Sequence, residues 1–359
     1  MKITFFIGGL IGGGAERVTC SLSNYLVNNG HNVEILTMSE SDSYPLDNRV
    51  SRSILLTKKE RKGFINNLLV RFRRLKQYLE GHECDCYVVM LPITTILLLS
   101  LKKYAKAPIV ASERCYPAVF SQIMQRLLLL ILCRRASGWV FQTPQAREWY
   151  GARTGESKVT IIPNAINEAF LRPAFYGDRQ KKIVAIGRMS VQKNYPLLLK
   201  AFSQLATDFP EYRLLILGEG ELRKHLGSMV YQLNIGDRVD MPGYVTDIPD
   251  RLQSAALYVL PSDYEGMPNT LMEAMALGVP CIATDCDGGG AAFLIEDGVN
   301  GLLVPKGDVE TLANAMRRML FDRDFAETCG RNALKICDRL APEKVYGQWE
   351  IFIKEVCNK

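Results

Sequence analysis

Long hydrophobic runs are absent from this sequence. The longest, Leu127–Cys133 and Ile96–Leu101, fall far short of the roughly 20 apolar residues that a helix needs to cross a bilayer. The apolar run that follows Lys2 ends early at a glycine pair, whereas a secretory signal peptide carries a longer apolar core. We therefore predict a chain that neither spans a membrane nor carries a cleaved signal.

Histidine is scarce, and the cysteines do not show metal-binding spacings. Only three of the 359 residues are histidine, and none of the three lies in a glycine-rich motif. The ten cysteines form no Cys-x-x-Cys pair, so the usual zinc patterns are missing. Unpaired thiols in a chain of this length favour a reducing cytosol over secretion. These shortages predict a cytoplasmic protein that holds no metal and does not use histidine in catalysis.

Two nucleotide-binding signatures are missing from the glycine-rich stretch GGLIGGGAERV at residues 8–18. Arg17 stands where a dinucleotide fingerprint starting at Gly12 needs its third glycine, and no carboxylate follows directly at the end of the strand-like NVEILTM. The stretch also lacks the Gly-Lys-Ser/Thr of a P-loop. What remains is a loop through Gly13 and Gly14 that opens a helix. Its free amides suit a phosphate, and the alternative is a plain tight turn.

What the sequence does contain is a repeated alternation of apolar β-prone runs with helical patterns. Hydrophobic residues make up 48% and charged residues 23% of the chain, which is the profile of a globular protein. The first half contains the runs KITFFI, NVEILTM, CYVVML, PIVAS, GWVFQ and VTIIP, and the second half contains KIVAIG, RLLILG, LYVLPS, PCIATD and GLLVP. Such alternation predicts parallel sheets joined by crossover helices. The fold class is therefore α/β.

The length and the two passes of strands predict two domains. The stretch 164–180 has no sustained period and is the natural linker. We place an N-terminal domain at residues 1–164 and a C-terminal domain at residues 165–341, each large enough for an ordinary core. The last helical segment, residues 342–359, follows the second sheet and is free to pack back on the first domain.

The net charge of +6 is concentrated in one segment. Residues 49–76 contain ten Lys or Arg and one acid, Glu60. Apolar residues recur at helical spacing from Phe64 to Leu79, and they predict an amphipathic helix. The basic residues of this helix are Arg71, Arg73, Arg74 and Lys76. Such a helix either packs on the core with a solvated charged face or binds an anionic surface or phosphate.

Two cations follow the first strand of the second domain, in the stretch IGRMSVQKNYPLL. Arg188 comes directly after Gly187, and Lys193 lies five residues further on. The carboxyl ends of parallel strands form the ligand crevice of an open α/β sheet. Two cations at this edge are placed to bind an anion such as a diphosphate, unless they are ordinary surface charges.

Two glutamates lie eight residues apart in the stretch DYEGMPNTLMEAMALGVP. Glu265 belongs to a loop and Glu273 to the helix that follows, with Pro268 at the first helical position. The amides of Asn269, Thr270 and Leu271 are then uncommitted and offer a phosphate seat at a helix N-terminus. Ionised carboxylates would repel a diphosphate, so we expect them to accept hydrogen bonds from sugar or ribose hydroxyls. This combination points to a nucleotide sugar.

These motifs together resemble family-four retaining glycosyltransferases of the GT-B fold, and the resemblance covers nearly the whole chain. It rests on five features: Gly13-Gly14, Gly187-Arg188, the Gln-Lys-Asn of residues 192–194, the Glu-x7-Glu pair, and the order GGAERV, ASER, EGMPNTLMEA. The order of motifs is most similar to bacterial enzymes that extend lipid-linked oligosaccharides, including N-acetylgalactosamine transferases. One departure concerns Ser112-Glu113-Arg114, where several such enzymes have Ser-Glu-His. A histidine role therefore cannot be carried over.

The resemblance implies two Rossmann-like domains with parallel sheets facing a cleft, the first binding the acceptor and the second the nucleotide sugar. It implies that Arg188 and Lys193 hold the donor diphosphate, Glu265 the donor sugar and Glu273 the ribose. We also expect donor contacts from Gly13, Gly14 and Gly187 and from the amides of residues 269–271. Acceptor or membrane contacts are expected from the four basic helix residues together with Glu113 and Arg114.

The implied reaction transfers a hexose or N-acetylhexosamine from a UDP-sugar to a polyprenyl diphosphate-linked glycan, with retention at the anomeric carbon. We expect no cofactor and no metal, since the Asp-Cys-Asp of residues 285–287 lies in a loop and only imitates a metal motif. The enzyme would be cytoplasmic and bound peripherally to the anionic inner face of the plasma membrane, with no nucleic-acid partner. Two alternatives are a nucleotide-sugar 2-epimerase of the same fold and a catalytically silent subunit that binds membrane or protein.

Overall fold

The computed structural model describes residues 1–11, 13–40, 44–60, 64–116, 123–175, 177–205 and 207–358, and the side chains of residues 58, 64–66 and 123–125 are not part of this description. Gly12 and the side chains of Phe64 and Ile65, which entered the predictions above, thus lie outside the described residues. The chain divides into unit 1, Met1–Ala165 with Glu343–Lys359, and unit 2, Ile166–Pro342. The predicted domains end one residue earlier than these units, both where the chain passes from unit 1 to unit 2 and where it returns to unit 1.

Unit 1 contains a parallel sheet of seven strands, in the order β3-β2-β1-β4-β5-β6-β7. Its strands are β1 (Lys2–Ile7), β2 (Asn32–Thr37), β3 (Ser51–Ile54), β4 (Cys86–Met90), β5 (Ile109–Ser112), β6 (Gly138–Phe141) and β7 (Lys158–Ile161). Its helices are α1 (Gly14–Asn28), α2 (Phe64–Gly81), α3 (Pro92–Ser100), α4 (Ile123–Leu132), α5 (Pro144–Tyr150) and the C-terminal α14 (Pro342–Cys357).

The helices of unit 1 cover both faces of its sheet. One buried cluster joins side chains of α2, α3, α4 and α5 to the sheet, and among the described residues it includes none from α1 or α14. Helices α1 and α14 contact each other instead, with the rings of Tyr25 and Tyr346 5.5 Å apart and Asn29 donating to Glu350 at 2.9 Å. The C-terminal helix therefore returns to unit 1 on the face opposite α2–α5.

Unit 2 contains a parallel sheet of six strands in the order β10-β9-β8-β11-β12-β13. Its strands are β8 (Gln180–Ile186), β9 (Arg213–Leu217), β10 (Val239–Gly243), β11 (Ala255–Leu260), β12 (Cys281–Asp285) and β13 (Leu302–Pro305). Its helices are α6 (Tyr195–Leu205), α7 (Arg223–Gln232), α8 (Ile248–Gln253), α9 (Asn269–Ala276), α10 (Gly290–Leu294), α11 (Val309–Phe321), α12 (Arg323–Ala333) and α13 (Ile336–Arg339). This strand order is that of a doubly wound dinucleotide-binding sheet.

Every apolar run that was predicted as a strand forms one, and the predicted α/β class is confirmed. Two strands were missed, β3 and β10, and both lie at the edge of a sheet. An edge strand exposes one side and so can carry charge or proline in place of an apolar run, although the other two edge strands, β7 and β13, keep apolar runs. The sequences SRSI of β3 and VDMPG of β10 carry charge or proline.

Candidate active site

The chemistry-bearing residues of unit 2 gather where its strand order reverses. The first strand of this unit, β8, lies between β9 and β11, so the β8/β11 boundary is the topological switch point. Ligands bind outside the carboxyl ends of the strands at such a point. Arg188 and Lys193 follow β8, and Glu265 follows β11. The fold thus brings together residues that lie more than 70 positions apart in the chain.

Lys193 and Glu265 form an ion pair at this edge. Lys193 Nζ donates to Glu265 Oε1 at 2.6 Å, and Ser262 Oγ donates to the same oxygen at 2.8 Å. The two charged side chains are only 14% and 8% exposed. A short charge-assisted hydrogen bond between two largely buried groups holds both side chains in a defined geometry, and loss of one partner would leave the other charge uncompensated. The pair fixes the position of the Glu265 carboxylate. In both of these hydrogen bonds the acceptor is Oε1.

Gly187 permits this arrangement by lacking a side chain. Its φ is +152°, a conformation that glycine tolerates and L side chains rarely adopt. A Cβ at this position would lie 2.7 Å from Lys193 Cε and 3.2 Å from the Tyr195 hydroxyl. Gly218 is equally constrained, because its Cβ would lie 2.1 Å from the Gly187 carbonyl oxygen. The side chain of Lys193 therefore packs directly against the backbone of Gly187.

Arg188 differs from Lys193 in being exposed. Its guanidinium makes no hydrogen bond or ion pair to any of the residues that the structure describes. A permanent positive charge that is free at the ligand edge of a sheet is available for a phosphate. The predicted pair of cations is thus present, with one of them already paired to the predicted sugar-binding glutamate.

The helix after Glu265 begins one residue later than expected. Pro268 is the residue that precedes the helix, and α9 starts at Asn269. The prediction that Leu271 offers a free amide is wrong, because this amide donates to the Pro268 carbonyl at 3.1 Å. The Thr270 hydroxyl accepts from the Tyr258 hydroxyl at 2.7 Å. Any phosphate seat at this terminus thus rests on Asn269 and Thr270.

Glu273, the second glutamate, lies on α9 as predicted and is buried. The loop before it packs against α10 at Gly290, where a Cβ would lie 1.8 Å from the Gly266 carbonyl oxygen. This contact leaves the 265–268 turn no room to shift toward α10. The ribose role of Glu273 stays a prediction.

The Asp-Cys-Asp stretch supports the Glu265 loop through its backbone. The Glu265 amide donates to the Asp287 carbonyl at 2.8 Å, and the Asp287 amide donates to the Asp263 carbonyl at 3.3 Å. The Asp287 carboxylate pairs with Lys306 at 2.7 Å. Within the described ranges, no three His, Cys, Asp or Glu side chains are grouped so that they could hold a metal ion.

Two residues of the Gln-Lys-Asn motif, to which the sequence assigned no role, support the site. Asn194 adopts a left-handed conformation with φ of 43° and donates to the Asp263 carboxylate at 2.8 Å. Gln192 donates to the Tyr264 carbonyl at 3.0 Å. These bonds tie the turn that carries Lys193 to the loop that carries Glu265. The asparagine of the Gln-Lys-Asn motif was the one signal of this turn in the sequence, since asparagine is one of the few residues that tolerate a left-handed conformation.

In unit 1, the glycine loop follows β1 and leads into α1. Gly13 is the residue that precedes the helix, and Gly14 is its first residue. The Gly13 carbonyl accepts a hydrogen bond from the Tyr44 hydroxyl at 3.1 Å. A Cβ at Gly13 would meet the end of the Glu16 side chain at 2.2 Å, a contact that a flexible side chain can relieve. The donor role of Gly13 and Gly14 stays a prediction.

Glu113 and Arg114 follow β5 and are both buried. Glu113 accepts hydrogen bonds from the Tyr150 hydroxyl at 2.6 Å and from the amides of Arg114 and Cys115. Burial nevertheless raises the pKa of Glu113 to about 7. Arg114 donates to Asn164 at 2.9 Å and lies 5.1 Å from the centre of the Trp349 ring. Membrane contact by these two side chains is excluded by their burial, and an acceptor role stays a prediction.

Burial also lowers the pKa of Arg114, to about 10. Its Nε and Nη2 are buried and find no hydrogen-bond partner among the described residues. The contacts with Asn164, at the exit from unit 1, and with Trp349, on the returning helix, are those of a structural anchor.

The predicted basic helix is α2, and its cations have different surroundings. Arg74 is engaged by Glu60, with Nη2 to Oε1 at 2.6 Å and Nη1 to Oε2 at 2.9 Å. Lys76 lies 3.7 Å from Glu80 and 4.7 Å from the centre of the Tyr104 ring. Arg73 is exposed, whereas Arg71 is partly buried. Arg74 thus already has an acidic partner on the surface, and the acceptor or membrane role of these four residues stays a prediction.

Two family descriptions match the chain, one for each sheet. "Glycosyltransferase Family 4" matches residues 12–170, and "Glycosyl transferases group 1" matches residues 170–336. The second match contains the whole Arg188, Lys193, Glu265 and Glu273 set. The chain belongs to these GT-B glycosyltransferases.

Relatives and solved structures agree with this family. An α-1,4-N-acetyl-D-galactosaminyltransferase of Campylobacter jejuni, which by its name extends a diNAcBac-PP-undecaprenol glycan, is 28% identical over 100% of this chain and 99% of its own. An Escherichia coli α-1,3-galactosyltransferase, named for UDP-Gal and GlcNAc-diphosphoundecaprenol, is 30% identical over 56% of each chain. The sucrose-phosphate synthase of Thermosynechococcus elongatus, 21% identical, superposes with a TM-score of 0.83 over 99% of this chain and 98% of its own.

A second solved structure, Anabaena HepE in complex with UDP, is 19% identical and has a TM-score of 0.82 over 99% of this chain and 100% of its own. At these identities both structures establish the fold alone, and they confirm the GT-B class. The transferase has no helix among its described residues that is long and apolar enough to cross a membrane.

Proposed function

We propose that this glycosyltransferase moves a hexose or N-acetylhexosamine from a UDP-sugar to a polyprenyl diphosphate-linked glycan, with retention at the anomeric carbon and on the cytosolic face of a membrane. The names of the Campylobacter and Escherichia relatives support the acceptor class and, for the second, the UDP donor. The observation that carries the proposal is the Lys193–Glu265 pair beside the free Arg188 at the switch point of unit 2.

In this proposal the cations bind the donor diphosphate. Breaking the bond between the anomeric carbon and the diphosphate leaves negative charge on the leaving group. Arg188 supplies a guanidinium with no competing partner among the described residues, and Lys193 supplies an ammonium whose chain is fixed over Gly187. Preorganised donors of this kind stabilise developing charge without having to reorganise.

Glu265 would position the sugar. Lys193 and Ser262 hold Oε1, so the carboxylate has a fixed direction and Oε2 is left to accept a hydrogen bond from a sugar hydroxyl. The same hydrogen bonds make Glu265 a poor free nucleophile, because they withdraw charge from the carboxylate. We therefore favour a front-face reaction. The acceptor oxygen bonds to the anomeric carbon on the side that the diphosphate leaves, and the acceptor proton passes to a phosphate oxygen.

No metal or cofactor takes part in the proposed reaction. The two cations occupy the role that a divalent ion has in other nucleotide-sugar enzymes, neutralising the diphosphate. The acceptor is assigned to unit 1, with Arg71, Arg73 and Lys76 of α2 as cations that attract anionic lipid. Acidic neighbours weaken this attraction for Lys76, which lies beside Glu80, and for Arg74, which pairs with Glu60.

A panel of UDP-sugars offered with a polyprenyl diphosphate-linked acceptor tests the proposal. We expect one or a few donors to give a longer lipid-linked glycan, whose new linkage is α by NMR if the donor is α. A β linkage from an α donor would overturn retention. Interconversion of UDP-sugars without any acceptor would favour the 2-epimerase. No turnover and no UDP binding under any condition would favour the silent subunit.

A further inference from the structure

Two cysteines from distant parts of the sequence meet in unit 1. All ten cysteines lie in the described ranges, and each is a thiol. Cys86 is the first residue of β4, and Cys357 is the last residue of α14. The Cys357 Sγ donates to the carbonyl oxygen of Asp85, the residue directly before Cys86, at 3.4 Å. Cys86 and Cys357 are called the thiol pair.

Both side chains of the thiol pair lie on the same face of the sheet. Side chains alternate between the two faces along a strand, and Tyr87 and Val89 of β4 belong to the buried cluster with α2–α5. Cys86 therefore points to the opposite face, which the returning helix α14 covers. Cys86 is fully buried there, whereas Cys357 is half-buried. A reagent from solution can thus reach Cys357 but not Cys86.

The two thiols of the pair also hydrogen-bond each other. This hydrogen bond raises the pKa of Cys86, as burial does too, and it lowers the pKa of Cys357. The thiolate is the nucleophilic form of cysteine, so the accessible member of the pair is also the one that reacts more readily. An accessible thiol with a lowered pKa, next to a second thiol, is the arrangement in which an oxidised cysteine is resolved to a disulfide.

Cys84 is close to the thiol pair in sequence but differs from it in both respects. It precedes β4 and packs against the cluster of α2–α5, on the face away from α14. Burial raises the pKa of Cys84, so this residue offers less thiolate than Cys357 does. Cys84 is therefore the natural control for a reaction between Cys86 and Cys357.

We propose that the thiol pair is a reversible modification site, at which a small-molecule disulfide converts Cys86 and Cys357 into a disulfide that fastens the end of α14 to β4. The Cys357 thiolate attacks one sulfur of the small disulfide, forms a mixed disulfide and releases one small thiolate. The Cys86 sulfur then attacks the Cys357 sulfur and displaces the second small thiolate. The protons lost by the two protein thiols are taken up by the two small thiolates. Two protein thiols are thus oxidised to one disulfide, and one small disulfide is reduced to two thiols.

This disulfide would join the two chain segments that make up unit 1. These are Met1–Ala165 and Glu343–Lys359, and all of unit 2 lies between them in the sequence. The S–S bond would close a loop that contains unit 2, and the constraint that a disulfide places on the unfolded chain grows with the length of the loop. An excess of small thiols would reopen the bond. The thiol pair would thus tie α14 to the sheet under oxidising conditions and leave it to noncovalent contacts under reducing ones.

Oxidation of the full chain with glutathione disulfide tests the site. After an acid quench, alkylation of the remaining thiols and digestion with trypsin, mass spectrometry should find the peptide of Cys357 linked to the peptide of Cys86. Cys84 shares that second peptide, since no Lys or Arg separates it from Cys86. The same link should therefore also form in the matched control, Cys84→Ser. Thiol titration of the unfolded parent should show two thiols fewer after oxidation.

Stability gives an independent measurement. Oxidation should raise the thermal unfolding midpoint, followed by tryptophan fluorescence, by about 5 to 10 °C. A phosphine reductant should reverse this shift. Cys84→Ser should show the same shift as the parent, whereas Cys357→Ser should show none.

Single variants separate the two steps of the exchange. Cys86→Ala removes the resolving thiol, so it should accumulate the mixed disulfide between glutathione and Cys357. In Cys357→Ser, Cys86 should stay unmodified because it is buried. A mixed disulfide that persists on Cys357 of the parent without a link to Cys86 would overturn the proposal. Thiols that all stay reduced, or a link that is lost in Cys84→Ser, would also overturn it. The first two of these outcomes are read from the parent chain, so the test stands even if a variant fails to fold.

Discussion

The carboxyl edges of the two sheets place their charges in opposite ways. In unit 2, Arg188 is exposed and Lys193 meets Glu265 at the switch point of the sheet. In unit 1, Glu113 and Arg114 lie after β5, one strand away from the β1/β4 switch point, and both are buried. Their partners are protein groups: Tyr150 for the carboxylate, Asn164 and Trp349 for the guanidinium.

This difference helps to distinguish a charged residue that binds a ligand from one that stabilises the fold, in two sheets of the same kind. Buried charges are retained where neighbouring groups compensate them, and removing one partner is costly. A charge meant for a ligand has to keep capacity to spare. Among the described residues, nothing engages the Arg188 guanidinium, and the Glu265 hydrogen bonds leave Oε2 to a ligand. The position relative to the switch point thus supports the donor site proposed for unit 2, whereas unused capacity alone does not distinguish the units, because Arg114 also has two buried nitrogens without a partner among the described residues.

Removing either cation of unit 2 is expected to have the largest effect. Arg188→Ala and Lys193→Ala should each lower kcat/KM by about 100-fold or more, as for the loss of a preorganised transition-state donor. Arg188→Ala should leave the unfolding midpoint unchanged, because no partner is stranded. Lys193→Ala should also destabilise unit 2, since it leaves the Glu265 carboxylate buried without its cation. Steady-state kinetics and thermal unfolding measure the two effects.

The matched control is Lys306→Ala, which removes a lysine from an exposed pair with Asp287. Its effect on kcat/KM should stay within about twofold, as for surface ion pairs generally. Near-normal activity of both the Arg188 and the Lys193 variants would contradict the assignment of the donor site.

A smaller loss is expected when the backbone under Lys193 is altered. Gly187→Ala adds a Cβ 2.7 Å from Lys193 Cε at a φ of +152°. The lysine must then move away from Glu265, and we expect a loss of activity of about 10- to 100-fold. Gly227→Ala is the control, because a Cβ there meets nothing within 4 Å. Equal activity of the two alanine variants would show that the lysine position is not critical.

The sequence revealed the elements that are buried and the residues that follow them. Apolar runs predicted the interior strands, and the residues after β8 and β11 were correctly placed at the ligand edge. The edge strands β3 and β10 were missed, because an exposed strand needs no apolar run.

Contacts across long sequence distances could not be predicted either. Lys193 and Glu265 are 72 residues apart, and nothing in their spacing shows that they form an ion pair. The Arg74–Glu60 pair and the hydrogen bond from the Leu271 amide to the Pro268 carbonyl are local contacts, and they were missed because they depend on the backbone geometry of a turn or helix end. The burial of Glu113 and Arg114 was not predicted, because charged residues usually lie at the surface.

The buried Glu113 of unit 1 should affect the stability of the protein. The pKa of Glu113 is raised to about 7 from 4.5, so the folded protein holds a proton more tightly than the unfolded chain. This contribution is full below pH 4.5 and is lost as the pH rises through 7, which lowers the free energy of unfolding by about 3 kcal/mol. In Glu113→Gln the decrease in stability between pH 5 and pH 8 should be shallower.

Tryptophan fluorescence can follow this effect selectively. All three tryptophans, Trp139, Trp149 and Trp349, belong to unit 1. Urea unfolding followed at several pH values therefore reports on the unit that contains Glu113. Glu83→Gln, which changes an exposed carboxylate, should retain the pH dependence of the parent. Identical profiles for the two variants would show that Glu113 does not titrate in the predicted range.

The smallest expected effect is that of removing divalent metal. If Arg188 and Lys193 neutralise the donor diphosphate, EDTA should leave both kcat and KM unchanged, and Mg²⁺ or Mn²⁺ should add nothing. Asp287→Asn should also be mild, because the Asp287 carboxylate pairs with Lys306 while its backbone orders the Glu265 loop. The measurement is transfer to the lipid-linked acceptor after dialysis against chelator. Activity that vanished with EDTA and returned with Mn²⁺ would mean that the two cations do not suffice. Loss of that return in Asp287→Asn would then place the ion at the aspartate that the proposal treats as structural.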